Sequence, residues 1–422
     1  MIVRSYEQKD VMVITDCPLK NEEVRGVPYS EASSTTFKDA LGAASFLECK
    51  NTTEKHFLNS STVCFTYLSV SRPSDTDFDW GKSIVCKRSI PDGETYFQLE
   101  WLKDVWVSDK IRVSLDSLIN QIKEVQPKMI VIAGKWAFML LASLYLEPNK
   151  QLSTIAITKS TPTSKKMFGG LNKFRSSVLV LNEHFELPNI LVVPILTPSF
   201  LFLVKDKEFA VKRDYAKIAY FHRRLQSGID VMQLVKSRRV AEVGYTIEQT
   251  ITYLQELYNE LEVAPVLVSI DIETRQNSID CIGLSYKEYE SFTIPFSYMY
   301  EEANTDSNTL AWGSKSGKET LTSAPIGAIL TKYTHFWSIE DEVTITDLLW
   351  KVMLHKNCRH VGMNYNYDAQ WFWHHWKLKI HSHYDIMFLH HVLHNCLQKD
   401  LATLASIYCM DFYYWKDEIW KD

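Results

Sequence analysis

The run VLVSIDIETRQNSIDCIGLSY, residues 266–286, limits what this chain can become more than any other stretch. Val268, Ile270 and Ile272 recur at every second position, the pattern of a strand that buries one face. Asp271 and Glu273 alternate with them and share the opposite face. Two carboxylates held side by side repel, and one has its pKa pushed up unless a cation lies between them. Oxygen donors of this kind suit Mg2+ or Mn2+. The plain alternative is an edge strand whose acids are simply solvated.

Composition sets the frame for that strand. A chain of 422 residues predicts two or three domains, and 46% hydrophobic with 13% aromatic residues is enough for real cores. The net charge of −5 excludes a uniformly basic nucleic-acid coat, so any nucleic-acid surface has to be local. Eight cysteines without a C-x-x-C pair give neither a zinc site nor a disulfide framework and suit a reducing compartment. The opening MIVRSYEQKDVMVITD has no uninterrupted apolar segment, and no run of about 18 apolar residues reads as a membrane span. A cytoplasmic protein with no membrane partner is the expectation.

Strands predicted at 11–15, 63–67, 129–133, 177–181 and 190–194 alternate with helical patterns such as 115–125 and 136–146. That alternation predicts a parallel sheet wrapped by helices over 1–225. Residues 226–245 read as a linker. From Lys205 to Arg239 ten basic residues face four acids, which fits either a solvated helix face or a phosphate-contacting surface. A second domain is expected over 246–422. Thr246 and Gln249 form a capping-box pattern ahead of a helix that Pro265 stops. Residues 300–335 are polar and predict a long loop. Ser338 caps a helix to about 355, a strand follows at 359–363, and another helix starts near Tyr367.

The second element that matters is RHVGMNYNYDAQWFW, which sets Asn364, Tyr367 and Asp368 just after a strand, at a helix start. Together SIDIET, N-x-x-Y-D and HYDIMFLHHVLHNCLQKDLATLASIY resemble the 3′–5′ exonuclease domains of family A DNA polymerases, within the ribonuclease H-like DEDD superfamily. The resemblance covers about 245–422. It implies that Asp271 bridges two metal ions, Mg2+ or Mn2+, that Glu273 holds the first with its water, and that Asp368 holds the second. It implies that Thr274, Asn364 and Tyr367 line the 3′-terminal nucleotide of single-stranded DNA. Trp371, Phe372 and Trp373 read as core, and Asp385 as a helix N-cap.

The family completes its site with a fourth acid in a late Tyr-x-x-x-Asp element. Tyr413 and Asp417 have the right letters but fall too early, so three of four expected ligands stand in this chain. Losing one carboxylate weakens the second metal and lowers the rate by orders of magnitude. The resemblance therefore also allows a non-catalytic DNA-binding or assembly module, completed by a polymerase segment encoded downstream. A ribonuclease D-like RNA exonuclease is the other alternative.

The first half carries a looser resemblance. VMVITDCPLKNEEVRGVPYSEASSTTFKDAL, QPKMIVIAGKWAFMLL and VVPILTPSFLF with KRDYAKI resemble bacterial-type uracil-DNA glycosylases over about 10–225. Asp16 stands where that family has its first-motif Glu, Tyr67 where it has the uracil-reading Asn, and Thr197 where it has a His before Pro-Ser199. Tyr29 could stack as the family's Phe does. An excision enzyme needs polar groups on the flipped base and on a developing oxyanion, and most look replaced. The fold expected is thus α/β throughout: a degenerate glycosylase-like parallel-sheet sandwich, then a ribonuclease H-like mixed-sheet exonuclease domain. That domain order resembles certain bacteriophage polymerases, which implies a bacterial host's cytoplasm.

Overall fold

The computed structural model describes residues 9–17, 63–68, 83–85, 90, 93–100, 105–147, 150–153, 174–181, 185–187, 190–196, 208–235, 240–275, 278–305, 310–315, 318–323, 326–327, 329–380 and 382–411. The chain is α/β and divides into two compact units, Met1–Ser237 with Cys396–Asp422, and Arg238–Asn395.

The first unit contains β1 (Val11–Thr15), β2 (Val63–Tyr67), β3 (Ile84–Val85), β4 (Tyr96–Gln98), β5 (Trp106–Ser108), α1 (Asp109–Val125), β6 (Met129–Ile132), α2 (Lys135–Leu141), β7 (Ala142–Glu147), β8 (Lys150–Ser153), β9 (Leu179–Leu181), β10 (Leu191–Pro194), α3 (Glu208–Gln226) and α4 (Val231–Val235). Its main sheet runs β2-β1-β6-β10-β9-β7-β8. The first four strands are parallel, and β9, β7 and β8 extend the sheet by antiparallel pairing. Alternation along β1 explains the layers. Met12 and Ile14 face one core with Ile111, Leu115 and Leu118 of α1. Val11 and Val13 face the other core with Val211, Tyr215 and Ile218 of α3. A parallel sheet buried on both faces needs continuous apolar strands, which VMVIT and MIVI supply. The predicted helix 136–146 stops at Leu141, because 142–147 pairs with β8 and β9 instead. Sheet pairing overrides helical spacing there.

The second unit contains β11 (Val240–Val243), α5 (Ile247–Val263), β12 (Val266–Arg275), β13 (Ser278–Lys287), β14 (Glu290–Pro295), β15 (Ser297–Ala303), β16 (Leu310–Lys315), β17 (Lys318–Ser323), β18 (Ile329–His335), α6 (Ile339–Met353), β19 (Cys358–Gly362), α7 (Asn366–Trp376), β20 (Tyr384–Asp385) and α8 (Ile386–Leu393). The sheet order is β11-β14-β13-β12-β19-β20, with mixed directions. One core joins Val268, Ile270 and Ile272 of β12 to Leu254 and Leu257 of α5 and to Ile345 and Leu349 of α6. The capping box is formed: Thr246 Oγ1 accepts the Gln249 N–H at 3.3 Å, and Gln249 Oε1 accepts the Thr246 N–H at 3.2 Å. Two expectations change. The expected loop at 300–335 contains two antiparallel strand pairs, β15 with β18 and β16 with β17. Its polar composition concealed them, since two-stranded arms need no buried face; Tyr298 and Met299 of β15 are exposed. The expected linker 226–245 carries α4 and β11, and β11 joins the second sheet beside β14.

The expected second domain also ends sooner than 422. After Asn395 the chain returns to the first unit, where α9 (Leu401–Tyr408) packs. Ile407 and Leu397 close an apolar cluster with Ala210. Beneath it lies a buried ionic group. Arg175 donates to the Asp214 carboxylate, to the Ser406 hydroxyl and, at 3.3 Å, to the Ala210 carbonyl. Ser176 donates to Asp214 at 2.8 Å, Lys217 to the Ser406 carbonyl, and Arg213 to the Ile407 carbonyl at 3.3 Å. These basic residues of the 205–239 stretch therefore hold the returning segment rather than face solvent.

Lys217 is fully buried, and that burial lowers its ammonium from 10.5 to about 7; Arg175 and Arg213 add to the fall, while Asp214 and Cys409 oppose it. Between about pH 7 and the unfolded value, the unfolded chain holds a proton that the folded chain lacks. Stability consequently rises with pH across that window. Thermal melts of the full chain at pH 7 and pH 9.5 are expected to show this rise, and Lys217→Met is expected to remove it.

Candidate functional site

β12 lies between β13 and β19, but β19 pairs only with Val266–Ser269, so at Asp271 and Glu273 the strand is paired with β13 alone and the Ile272 N–H on its other side goes to Asp368. Val268, Ile270 and Ile272 are buried, while Asp271 and Glu273 stand on the exposed face. The register with β13 shifts between Glu273 and Thr274, a bulge that re-aims the end of the strand. β19 runs parallel to β12 and turns at Gly362 into α7. A Cβ at Gly362 would lie 2.4 Å from the buried Tyr365 ring, so the turn requires glycine. Asn364 adopts φ 56°, a left-handed conformation that asparagine tolerates. Asp385 caps α8 through Met387 N–H and also accepts the N–H groups of Asn364 at 3.2 Å and Tyr365 at 3.0 Å. One carboxylate thereby fixes the whole turn.

That turn delivers Asp368, 3% exposed, onto β12, where its Oδ1 accepts the Ile272 N–H at 3.0 Å. Ile272 sits between the two strand acids. Burial raises the Asp368 carboxyl to about 6, the charges of Asp271 and Asp385 add to the rise, and the Ile272 hydrogen bond opposes it. Next to it Thr274 Oγ1 and Tyr367 Oη are 2.7 Å apart. The structure thus couples Asp271 to Asp368 and Thr274 to Tyr367. Asn364 is tied through its backbone to Asp385. Phe372 is core and Trp371 half-buried, but Trp373 is 54% exposed, contrary to expectation, because the helix turns it away from the sheet.

The donor chemistry fits a hard divalent cation: oxygen ligands only, with one carboxyl raised by its burial and, to a lesser degree, by the charge of Asp271. The geometry is not that of a closed cage. Among the described residues no three His, Cys, Asp or Glu groups stand close enough to hold a metal ion. Asp271 and Glu273 are exposed side chains whose rotamers burial does not set. Tyr413 and Asp417 lie outside the described residues.

In the first unit the carboxyl ends of the parallel strands form a second candidate edge. Thr15 of β1 is in register with Tyr67 of β2, and Ile14 with Ile132 of β6. Asp16 follows β1, and its Oδ1 accepts the N–H groups of Trp136 and Ala137, each at 2.9 Å. Gly134 permits this: a Cβ there would lie 2.4 Å from Asp16 Oδ1. Burial raises the Asp16 carboxyl to about 6, against those two hydrogen bonds and the Lys135 charge. Tyr67 is buried at the end of β2. Tyr29, Thr197 and Ser199 lie outside the described residues. Gly134 lies in the Gly-x-x-Ala stretch that carries the glycosylase resemblance, whereas no signal in the sequence pointed to Lys135 beside Asp16.

A three-layer α/β domain with polar groups gathered at the carboxyl edge of its parallel strands is a class built to receive a ligand there. The family model for the uracil DNA glycosylase superfamily matches residues 4–221, more than half of the chain. The chain belongs to that superfamily. Among solved structures it is similar to the EXD2 exonuclease domain soaked in Mn and GMP, at TM-score 0.22 and 14% identity over 40% of this chain and 68% of that one. It is likewise similar to the EXD2 exonuclease domain soaked in Mn and Mg, at TM-score 0.22 and 13% identity over 42% and 73%. A likeness that loose carries nothing about the site. No curated protein matches the chain. No helix among the described residues is long and apolar enough to cross a membrane.

Proposed function

We propose that the 238–395 unit is a 3′–5′ exonuclease acting on single-stranded DNA ends, the proofreading portion of a phage-type family A DNA polymerase. The observation that carries this is the Asp368–Ile272 hydrogen bond, which docks a helix-borne acid between the two acids of a central strand. Asp271, Glu273 and Asp368 would hold Mg2+ or Mn2+, which when bound supplies an acidified water and neutralises charge on the phosphate. The chain's own residues set up the rest. Thr274 and Tyr367, already hydrogen-bonded, present hydroxyls to a terminal nucleotide. Asn364, exposed at the turn, offers its amide to the same end. Asp368, with its carboxyl near 6, loses its proton at neutral pH and carries the charge the cation needs.

A second reading is a DNA-binding or assembly module completed by another chain, favoured by the lack of a closed three-ligand cage among the described residues. Single-stranded DNA labelled separately at each end, with Mg2+ or Mn2+, separates the two. Stepwise shortening from the 3′ end supports the nuclease; retained binding without cleavage supports the module. The same assay on RNA tests the ribonuclease alternative.

For the first unit we propose a DNA-docking role without uracil excision. Asp16 is held as a cap on α2 by two backbone N–H groups, which occupies one of its oxygens. Uracil-containing oligonucleotides are expected to yield no alkali-labile abasic sites, and their appearance would refute this.

A further inference from the structure

We propose that a cleft on the outer face of α6 docks a basic amphipathic helix of a partner protein. The cleft holds about 670 Å³ and is floored by Trp337, Trp350 and Trp376. Ile339 and Val343 stand at its lip, 80% and 63% exposed. The inner face of α6 already buries Ile345, Leu349, Val352 and Met353 in the core. Ile339, Val343 and Trp350 make a second apolar stripe, which a helix solvated on its outer side does not need.

The floor is set before anything binds. Trp337 Nε1 donates to the Pro295 carbonyl at 2.5 Å. The Trp376 ring packs 5.2 Å from Phe296 and 5.8 Å from Phe372. Rigid aromatic anchors around a pocket are what a hot spot requires, because little ordering entropy remains to be lost. The indole N–H of Trp350, shielded from water, has no acceptor among the described residues.

Charge selects the occupant. Glu342 and Asp347 line the cleft, and Glu340 and Asp341 share the first turn of α6. Among the described residues no Lys or Arg lines it. The nearby Lys351 is paired with Asp347 at 2.7 Å, and His335 faces Glu342 at 3.6 Å. This acidic rim repels phosphate, so nucleic acid does not fit; Lys and Arg flanking an apolar stripe do. From Ile339 to Trp350 the stripe runs about 16 Å, room for three turns of a helix laid in the groove. None of this depends on the nuclease reading.

The test uses the full chain and a fluorescently labelled peptide with leucine along one helical face and lysine on the other, followed by anisotropy. Saturable binding is expected, weakened about tenfold or more by Val343→Lys and by Glu342→Lys, with the melting temperature unchanged in Val343→Lys, whose position is 63% exposed. A matched leucine–glutamate peptide is expected not to bind. Absence of binding, equal binding by either variant, or equal binding of the glutamate peptide would overturn the proposal. Displacement of the peptide by single-stranded DNA would make the cleft a nucleic-acid site instead. A concentration-dependent dimer that Val343→Lys abolishes would make a second copy the occupant.

Discussion

Replacing Asp271 by Ala is expected to slow release of the 3′-terminal nucleotide from single-stranded DNA on the order of 10³-fold, with melting temperature unchanged. The second half of that statement matters as much as the first. Asp271 is exposed on β12 and lies outside the core, which Val268, Ile270 and Ile272 fill from the other face. A fall in rate with an intact fold therefore reports chemistry, not unfolding. A rate within a few-fold of the parent chain would remove Asp271 from the centre, and an unfolded variant would contradict its exposed position.

Asp214→Ala is expected to cause the largest loss of stability, about 3–5 kcal/mol, or a fall in melting temperature of about 10 °C for a unit of this size. Asp214 is fully buried and accepts from both Arg175 and Ser176. Without it, the Arg175 guanidinium would remain as a buried charge with no carboxylate beside it, and Lys217 would lose the charge that opposes its deprotonation. Removing the opposing charge as well, in Arg175→Met with Asp214→Leu, is expected to recover much of the loss, since an apolar pair of similar volume often replaces a buried ion pair. Differential scanning calorimetry of the three chains checks both. The expectation fails if the single variant melts within a degree or two of the parent.

Much of this architecture is legible in the chain. VMVIT and MIVI are continuous apolar runs, which mark strands buried on both faces, and the structure sets them side by side and parallel. In VLVSIDIETR the alternation by itself separates the core-facing residues from the acids. Thr246 with Gln249, and Ser338 ahead of α6, announce helix starts by local hydrogen bonding, which needs no tertiary information. What stayed hidden depends on distant partners. Residues 142–147 carry helical spacing and become a strand because β8 and β9 are there to pair with. The return of α9 to the first unit rests on Arg175 and Lys217 reaching Ser406 across a long stretch of sequence, and no local pattern encodes that. The pairing of Asp368 with Ile272 could be anticipated only through the family resemblance; spacing alone leaves Asp368 as one more acid in a helix's first turn.

The most direct measurement is a Mn2+ titration followed by electron paramagnetic resonance, with a single-stranded oligonucleotide present to supply the 3′ end. Asp368→Asn is the variant of choice, because an amide oxygen can still accept the Ile272 N–H while the charge is gone. The parent chain is predicted to take up Mn2+ saturably, and Asp368→Asn and Asp271→Ala to lose that uptake while keeping their melting temperatures. Equal uptake by all three chains, or none by the parent, would contradict a cation-holding centre at these acids.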